Sequence, residues 1–91
     1  VIADLQRGVA NALERHARRR ARAAMRVIIW QRKRDTFEAA AAVTLLGDPV
    51  HRRARLLADS TDYRMVAWMA LGNGSAEGAL EWRRAAASTL R

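Results

Sequence analysis

From Ile2 to Leu46 the apolar positions recur at helical spacing. At 100° per residue, Ile2, Val9, Leu13, Ala17, Ala21, Ala24, Val27 and Ile28 share one sector of about a third of the wheel. Arg15, Arg18, Arg19, Arg22, Arg26 and Lys33 fall on the opposite side. The stretch RRRARAAMRVIIWQRKR, residues 18–34, therefore interleaves greasy and basic residues along the chain but separates them in space. No proline interrupts before Pro49, and only Gly8 weakens a run dominated by alanine, leucine, arginine and glutamate, all strong helix formers. The pattern predicts a long, basic, amphipathic helix over about residues 2–46.

Ile29 and Trp30 depart from this division, because they sit on or beside the basic stripe, and Phe37 falls near Trp30 on the same face. A second apolar surface starts there. The rod is expected to enter a new packing environment at this point, against its own later helices or a second copy of the chain. Asp35 and Glu38 have capping-box spacing, so the sequence is compatible with either an unbroken helix or a fresh start near Asp35.

Gly47-Asp48-Pro49 ends the pattern: glycine suits a C-terminal cap, aspartate an N-cap, and proline the first helical position. The next helix is predicted over about 49–59. Asp59, Ser60, Thr61 and Asp62 then offer caps for another over about 62–71, carrying Met65, Val66, Trp68, Met69 and Leu71. Gly72-Asn73-Gly74 closes it, and Ser75 caps a last helix over about 76–90, with Leu80, Arg83, Ala87 and Leu90 in helical spacing and Trp82 beside them. Valine and isoleucine are sparse and alternation is absent, so no strand competes. The expected fold is an all-α helical bundle of four to five helices in a single domain, residues 1–91. An unbroken helix over 2–46 would be about 67 Å long, more than the remaining residues can cover, which implies self-association as a homo-oligomer.

Composition sharpens that expectation. Of 91 residues 51% are apolar, but many of these are alanine, which buries little area, so the core is expected to be thin. Net charge is +8, from 16 arginines and the single Lys33 against nine acids. Arginine over lysine is also what a GC-rich genome writes, so the preference itself identifies no ligand. Location says more: residues 15–34 hold nine cations and no acid, while the rest of the chain, with eight cations and nine acids, sums to −1.

Several classes fall away. The two histidines, His16 and His51, stand apart, and Asp35, Asp48, Asp59 and Asp62 all fall at expected helix starts, so no enzyme, metal site or cofactor is expected. Gly72-Asn73-Gly74 lacks the lysine and spacing of a P-loop. The longest apolar run of the opening segment, Val27 to Trp30, is far short of the roughly 20 residues that cross a bilayer. Without cysteine the redox compartment is undetermined, and the cytoplasm is the default location. A chain beginning at Val1 rather than methionine suggests an upstream stretch that was trimmed or processed, and no signal peptide is visible.

A stripe of arginines along a rod neutralises phosphates irrespective of base sequence. Solvated faces usually mix signs, and like charges three or four apart weaken an isolated helix, so this stripe calls for an anionic partner. The candidate nucleic-acid-binding residues are Arg15, Arg18, Arg19, Arg22 and Arg26, extended by Lys33 and Arg34 and supported by Arg52, Arg53 and Arg55. Ile29, Trp30, Phe37, Trp68 and Trp82 are candidate interface residues. A helix-turn-helix with Thr36–Leu46 as its first helix and Pro49–Asp59 as its second fits poorly, because Asp48 and Arg53 fall where that motif packs apolar side chains. Binding is therefore expected at the backbone of DNA or RNA. The alternative is a helical oligomerisation or adaptor subunit whose basic stripe meets an acidic protein partner. A basic helix lying on an anionic membrane surface is a third reading, weakened by an apolar face made mostly of alanine, valine and isoleucine.

Overall fold

The computed structural model describes the whole chain, Val1–Arg91. It is all-α, with three helices: α1 (Ile2–Ala42), α2 (Pro49–Gly72) and α3 (Ala76–Thr89). The expected count of four to five helices is corrected to three, because the chain does not restart at Asp59–Asp62. Each polar group that could have capped a new helix has another partner. Ser60 Oγ donates to Ala86 O across to α3 at 3.0 Å. Thr61 Oγ1 donates back to Leu57 O and Ala58 O, both at 2.9 Å. Asp62 accepts from Arg34 on α1 at 3.0 Å. With those groups engaged, α2 continues through them.

Helix α1 runs through Asp35 without a break and stops at Ala42, four residues short of the expected end. Its last carbonyls explain the stop. Thr44 Oγ1 donates to Ala40 O and Ala41 O, each at 3.1 Å. His51 Nδ1 lies 2.9 Å from Ala41 O and 3.1 Å from Thr44 Oγ1. These contacts satisfy orphan acceptors that another helical turn would otherwise have used. Gly47, at φ 87°, then reverses the chain. Asp48 caps α2 by accepting from Val50 N at 2.7 Å, and Pro49 takes its first turn.

Helix α2 returns antiparallel along α1. His51 lies beside Ala41, Asp62 beside Arg34, Arg64 beside Trp30, Trp68 beside Arg26 and Gly72 beside Ala23. The α1 side of this seam is Ala23, Val27, Trp30, Arg34, Phe37 and Ala41, all buried or half-buried and spaced alternately by four and three residues. Ala54, Ala58, Thr61, Met65, Trp68 and Gly72 repeat the same alternation on α2. That 3.5-residue period is coiled-coil spacing.

The second reversal uses Gly74 at φ 85°, and Ser75 caps α3 by accepting from Gly78 N at 3.1 Å. Helix α3 then runs back along the far side of α2, with Tyr63 stacked on Trp82 at 5.6 Å between ring centroids. Helices α1 and α3 make no backbone contact. The three helices are thus a single layer with α2 in the middle, and not the expected bundle. The molecule measures 68 × 21 × 12 Å, a slab about one helix deep. Its radius of gyration is 18.3 Å, against about 12 Å for a compact chain of this length.

A single layer has no enclosed interior. The buried residues are seven alanines, Ser60 and Thr61, and no large side chain is fully buried. The exposed surface is 7054 Å², where a compact monomer of this mass would expose about 5,300 Å². The apolar sector expected to turn inward, Ile2 through Ile28, is also corrected. Apart from Val27, its members lie exposed: Ala24 and Ile28 because the seam is rotated toward Ala23, Trp30 and Phe37, where small and flat side chains let the two axes approach, and Ile2 to Ala21 because they precede the stretch that α2 covers. Beyond Ala23 there is no α2 left, and Ile2–Arg22 projects as an overhang about 31 Å long.

Candidate nucleic-acid interface

Docking α2 against one side of α1 divides the slab into two broad faces. Contacts between the helices identify what shares a face. Lys33 Nζ lies 4.4 Å and Arg64 Cζ 5.1 Å from the Trp30 ring centroid, and Arg26 Cζ lies 5.8 Å from that of Trp68. Arg53 and Leu57 line a groove with Phe37. Arg19, Arg20, Arg22 and His16 of α1 line a cleft with Trp68 and Leu71 of α2 and Ala76 of α3. Arg83 and Leu80 of α3 flank the other side of Trp68. At 100° per residue, Arg15 lies on the same strip of α1 as Arg19, Arg22, Arg26 and Lys33. One face thus carries Arg15, Arg19, Arg22, Arg26, Lys33, Arg53, Arg64 and Arg83.

None of those eight cations pairs with a carboxylate; the ion pairs of the molecule are Arg18–Glu14, Arg34–Asp35, Arg34–Asp62 and Arg55–Asp59. By the same helical geometry Asp35, Glu38, Asp59 and Asp62 project toward the opposite face, together with Ile28 and Met69. The slab is therefore electrically two-sided. On the basic face, Trp30 and Trp68 act as platforms that hold Lys33, Arg64 and Arg26 in place, each contact contributing about 0.5–1 kcal/mol at an exposed site.

The candidate residues distribute unevenly over this frame. Arg15, Arg19, Arg22, Arg26 and Lys33 come together on the basic face with Arg53. Arg18 is exposed but bridges to Glu14 at 2.6 Å, so an acid just outside the all-basic stretch offsets part of it. Arg34 is withdrawn from the stripe into the seam. It donates to Asp62 at 3.0 Å and to Asp35 at 3.2 Å, with its side chain only 22% exposed. Hydrogen bonding to Asp62, then to Asp35, holds its pKa above the ordinary arginine value. Arg55 faces the acidic side, 3.9 Å from Asp59, and Arg52 lies off the basic face by its helical position.

Trp30, Phe37 and Trp68 lie half-buried in or beside the α1–α2 seam, Trp82 packs on Tyr63, and Ile29 is exposed. The structure adds Arg64 and Arg83, which are not among the cations expected from the sequence. Arg53, Leu57, Arg64 and Trp68 recur at spacings of four, seven and four, a one-face signal on α2 that was present in the sequence. No such signal links Arg83 to them, since α3 is placed by tertiary packing alone.

No helix-turn-helix is present, because residues 36–42 continue α1 and α2 folds back antiparallel to it. No group of His, Cys, Asp and Glu is arranged to hold a metal ion, and no helix is long and apolar enough to cross a membrane. No family model matches the chain, and neither a curated protein nor a solved structure matches it significantly.

Proposed function

We propose that this chain binds nucleic acid, DNA or RNA, through its phosphates, using the basic face of the slab. One observation carries the reading: eight cations from three helices lie on one side with no carboxylate partner, and the one acid on their strip of α1, Asp4, is about 16 Å along the helix from Arg15. Positive groups left unneutralised repel one another, and a polyanion relieves that repulsion while its own condensed counterions are released. The cations run along one strip of α1 and beside the cleft it forms with α2, and no helix-turn-helix presents a recognition helix among them. The contacts this face can make are to the backbone, so the binding is independent of base sequence.

Anisotropy titrations of a labelled nonspecific duplex at about 50 and 200 mM salt test this. Six or more phosphate contacts reduce the affinity roughly a thousandfold or more over that range. Absence of binding at the lower salt, or a weak salt effect, would refute the proposal.

A second reading, a helical assembly subunit whose basic face meets an acidic protein, is favoured by the exposed area, which exceeds that of a compact monomer by about 1,700 Å². Competition separates the two. A poly-glutamate chain that displaces duplex at equal charge concentration favours the protein partner, and duplex retained against it favours nucleic acid.

A further inference from the structure

We propose that the overhang Ile2–Arg22 pairs antiparallel with the same segment of a second copy of the chain. The pairing is independent of phosphate binding and follows from the length of α1 that the rest of the chain leaves uncovered. The overhang carries a ridge of Ile2, Leu5, Val9 and Leu13, respectively 73, 66, 60 and 64% exposed. The ridge continues the seam: stepping back from Ala23 by the same alternation of three and four reaches Arg20, His16, Leu13, Val9, Gln6 and Ile2. The coiled-coil surface that α2 covers from Ala23 onward therefore extends uncovered to the N-terminal end of α1.

Charge selects the occupant's direction. A parallel pair would set the five arginines between Arg15 and Arg22 beside the same five of the partner. An antiparallel pair centred near Asn11 places Val9 against Leu13 and Ile2 against the aliphatic stem of Arg20. It also separates the two Arg18 positions by about 21 Å along the axis, about two and a half Debye lengths at physiological salt. The surplus exposed area, about 1,700 Å² per chain, exceeds the roughly 800 Å² per partner of a standard stable interface.

The pairing leaves most of the arginine stripe free, since Arg15, Arg22 and Arg26 lie about 100° or more around α1 from Ile2, Val9 and Leu13, while Arg19 flanks the ridge at about 80° from Val9. The two-fold axis of an antiparallel pair is perpendicular to the plane of its two helices. Both basic stripes consequently emerge on the same side of the dimer, and the two basic faces join into one longer track.

Sedimentation equilibrium provides the test. The chain is expected at about twice its 10.2 kDa mass, and a Val9→Asp, Leu13→Asp variant at the monomer mass with its helical circular dichroism largely kept. A variant with Arg15→Ala and Arg19→Ala should remain a dimer. Because the chain has no cysteine, direction is read by oxidising a mixture of Ile2→Cys and Arg20→Cys chains: antiparallel pairing gives the mixed disulfide. A monomeric wild-type chain, a dimeric Val9/Leu13 variant, or efficient homodisulfide formation by Ile2→Cys alone would each overturn the proposal. A dimer that fails to bind duplex would sink only the phosphate reading, and a monomer that binds it would sink only this one.

Discussion

Gly72 lies against Ala23 so closely that a methyl group on Gly72 would stand 3.2 Å from the Ala23 Cβ. Ordinary carbon–carbon contacts lie at about 3.5–4 Å, so the end of α2 is seated on α1 by the smallness of both residues. Ala23→Leu should force the helices apart and destabilise the fold by about 1–3 kcal/mol, lowering the melting temperature by at least several degrees. Ala21→Leu, on an exposed part of α1, should change stability by less than about 0.5 kcal/mol. Thermal melts followed at 222 nm compare the two, and equal melting temperatures would mean that the seam is not closely packed.

Arg34 ties the same seam together farther along. Its bond to Asp62 joins α1 to α2, whereas its bond to Asp35 stays within α1. Asp62→Asn should therefore destabilise more than Asp35→Asn, by about 0.5–1 kcal/mol at low salt, because both partners are partly solvated. The folded-state pKa of Arg34 is raised, so its contribution is fully present below the ordinary arginine value. It is lost only as pH rises through the higher folded value, and deprotonation of Arg34 should leave no mark on stability between pH 6 and 9. Urea melts of the two variants check the order, and a reversed order would show that Asp62 is not the structural partner.

Amide exchange should follow the layering. Helix α2 is covered on both sides and holds five of the nine buried residues, Ala54, Ala58, Ser60, Thr61 and Ala67. Its middle is expected to be the slowest region to exchange, and residues 2–20 the fastest helical region in dilute solution. If a second copy covers the overhang, protection there should rise with protein concentration. Uniform protection along α1 at every concentration would contradict the uncovered overhang.

What the sequence disclosed and what it concealed divide along physical lines. The reversals at Gly47-Asp48-Pro49 and Gly72-Asn73-Gly74-Ser75 were legible because their signals are local: glycines at positive φ, side-chain caps and a proline in the first helical turn. Asp59-Ser60-Thr61-Asp62 carried equally good local signals and formed no boundary, since Arg34 and the Ala86 carbonyl, 28 and 26 residues away in sequence, bind Asp62 and Ser60. The basic stripe of α1 was legible from its period alone. The seam beside it was concealed because packing followed close approach of alanines and the flat rings of Trp30 and Phe37, leaving the widest apolar arc uncovered. A charged residue, Arg34, occupies that seam, which no hydrophobicity pattern reports.

The most direct measurement compares two triple variants of equal charge in duplex binding against salt. Arg15→Ala, Arg19→Ala and Arg22→Ala remove cations from the basic face, whereas Arg52→Ala, Arg55→Ala and Arg84→Ala remove as many from elsewhere on the slab. At about 0.9 per phosphate contact, the first set should flatten the slope of log affinity against log salt by roughly two to three, and the second by less than one. Equal losses from both sets would mean that net charge alone attracts the duplex, and that no face of this protein is built to hold it.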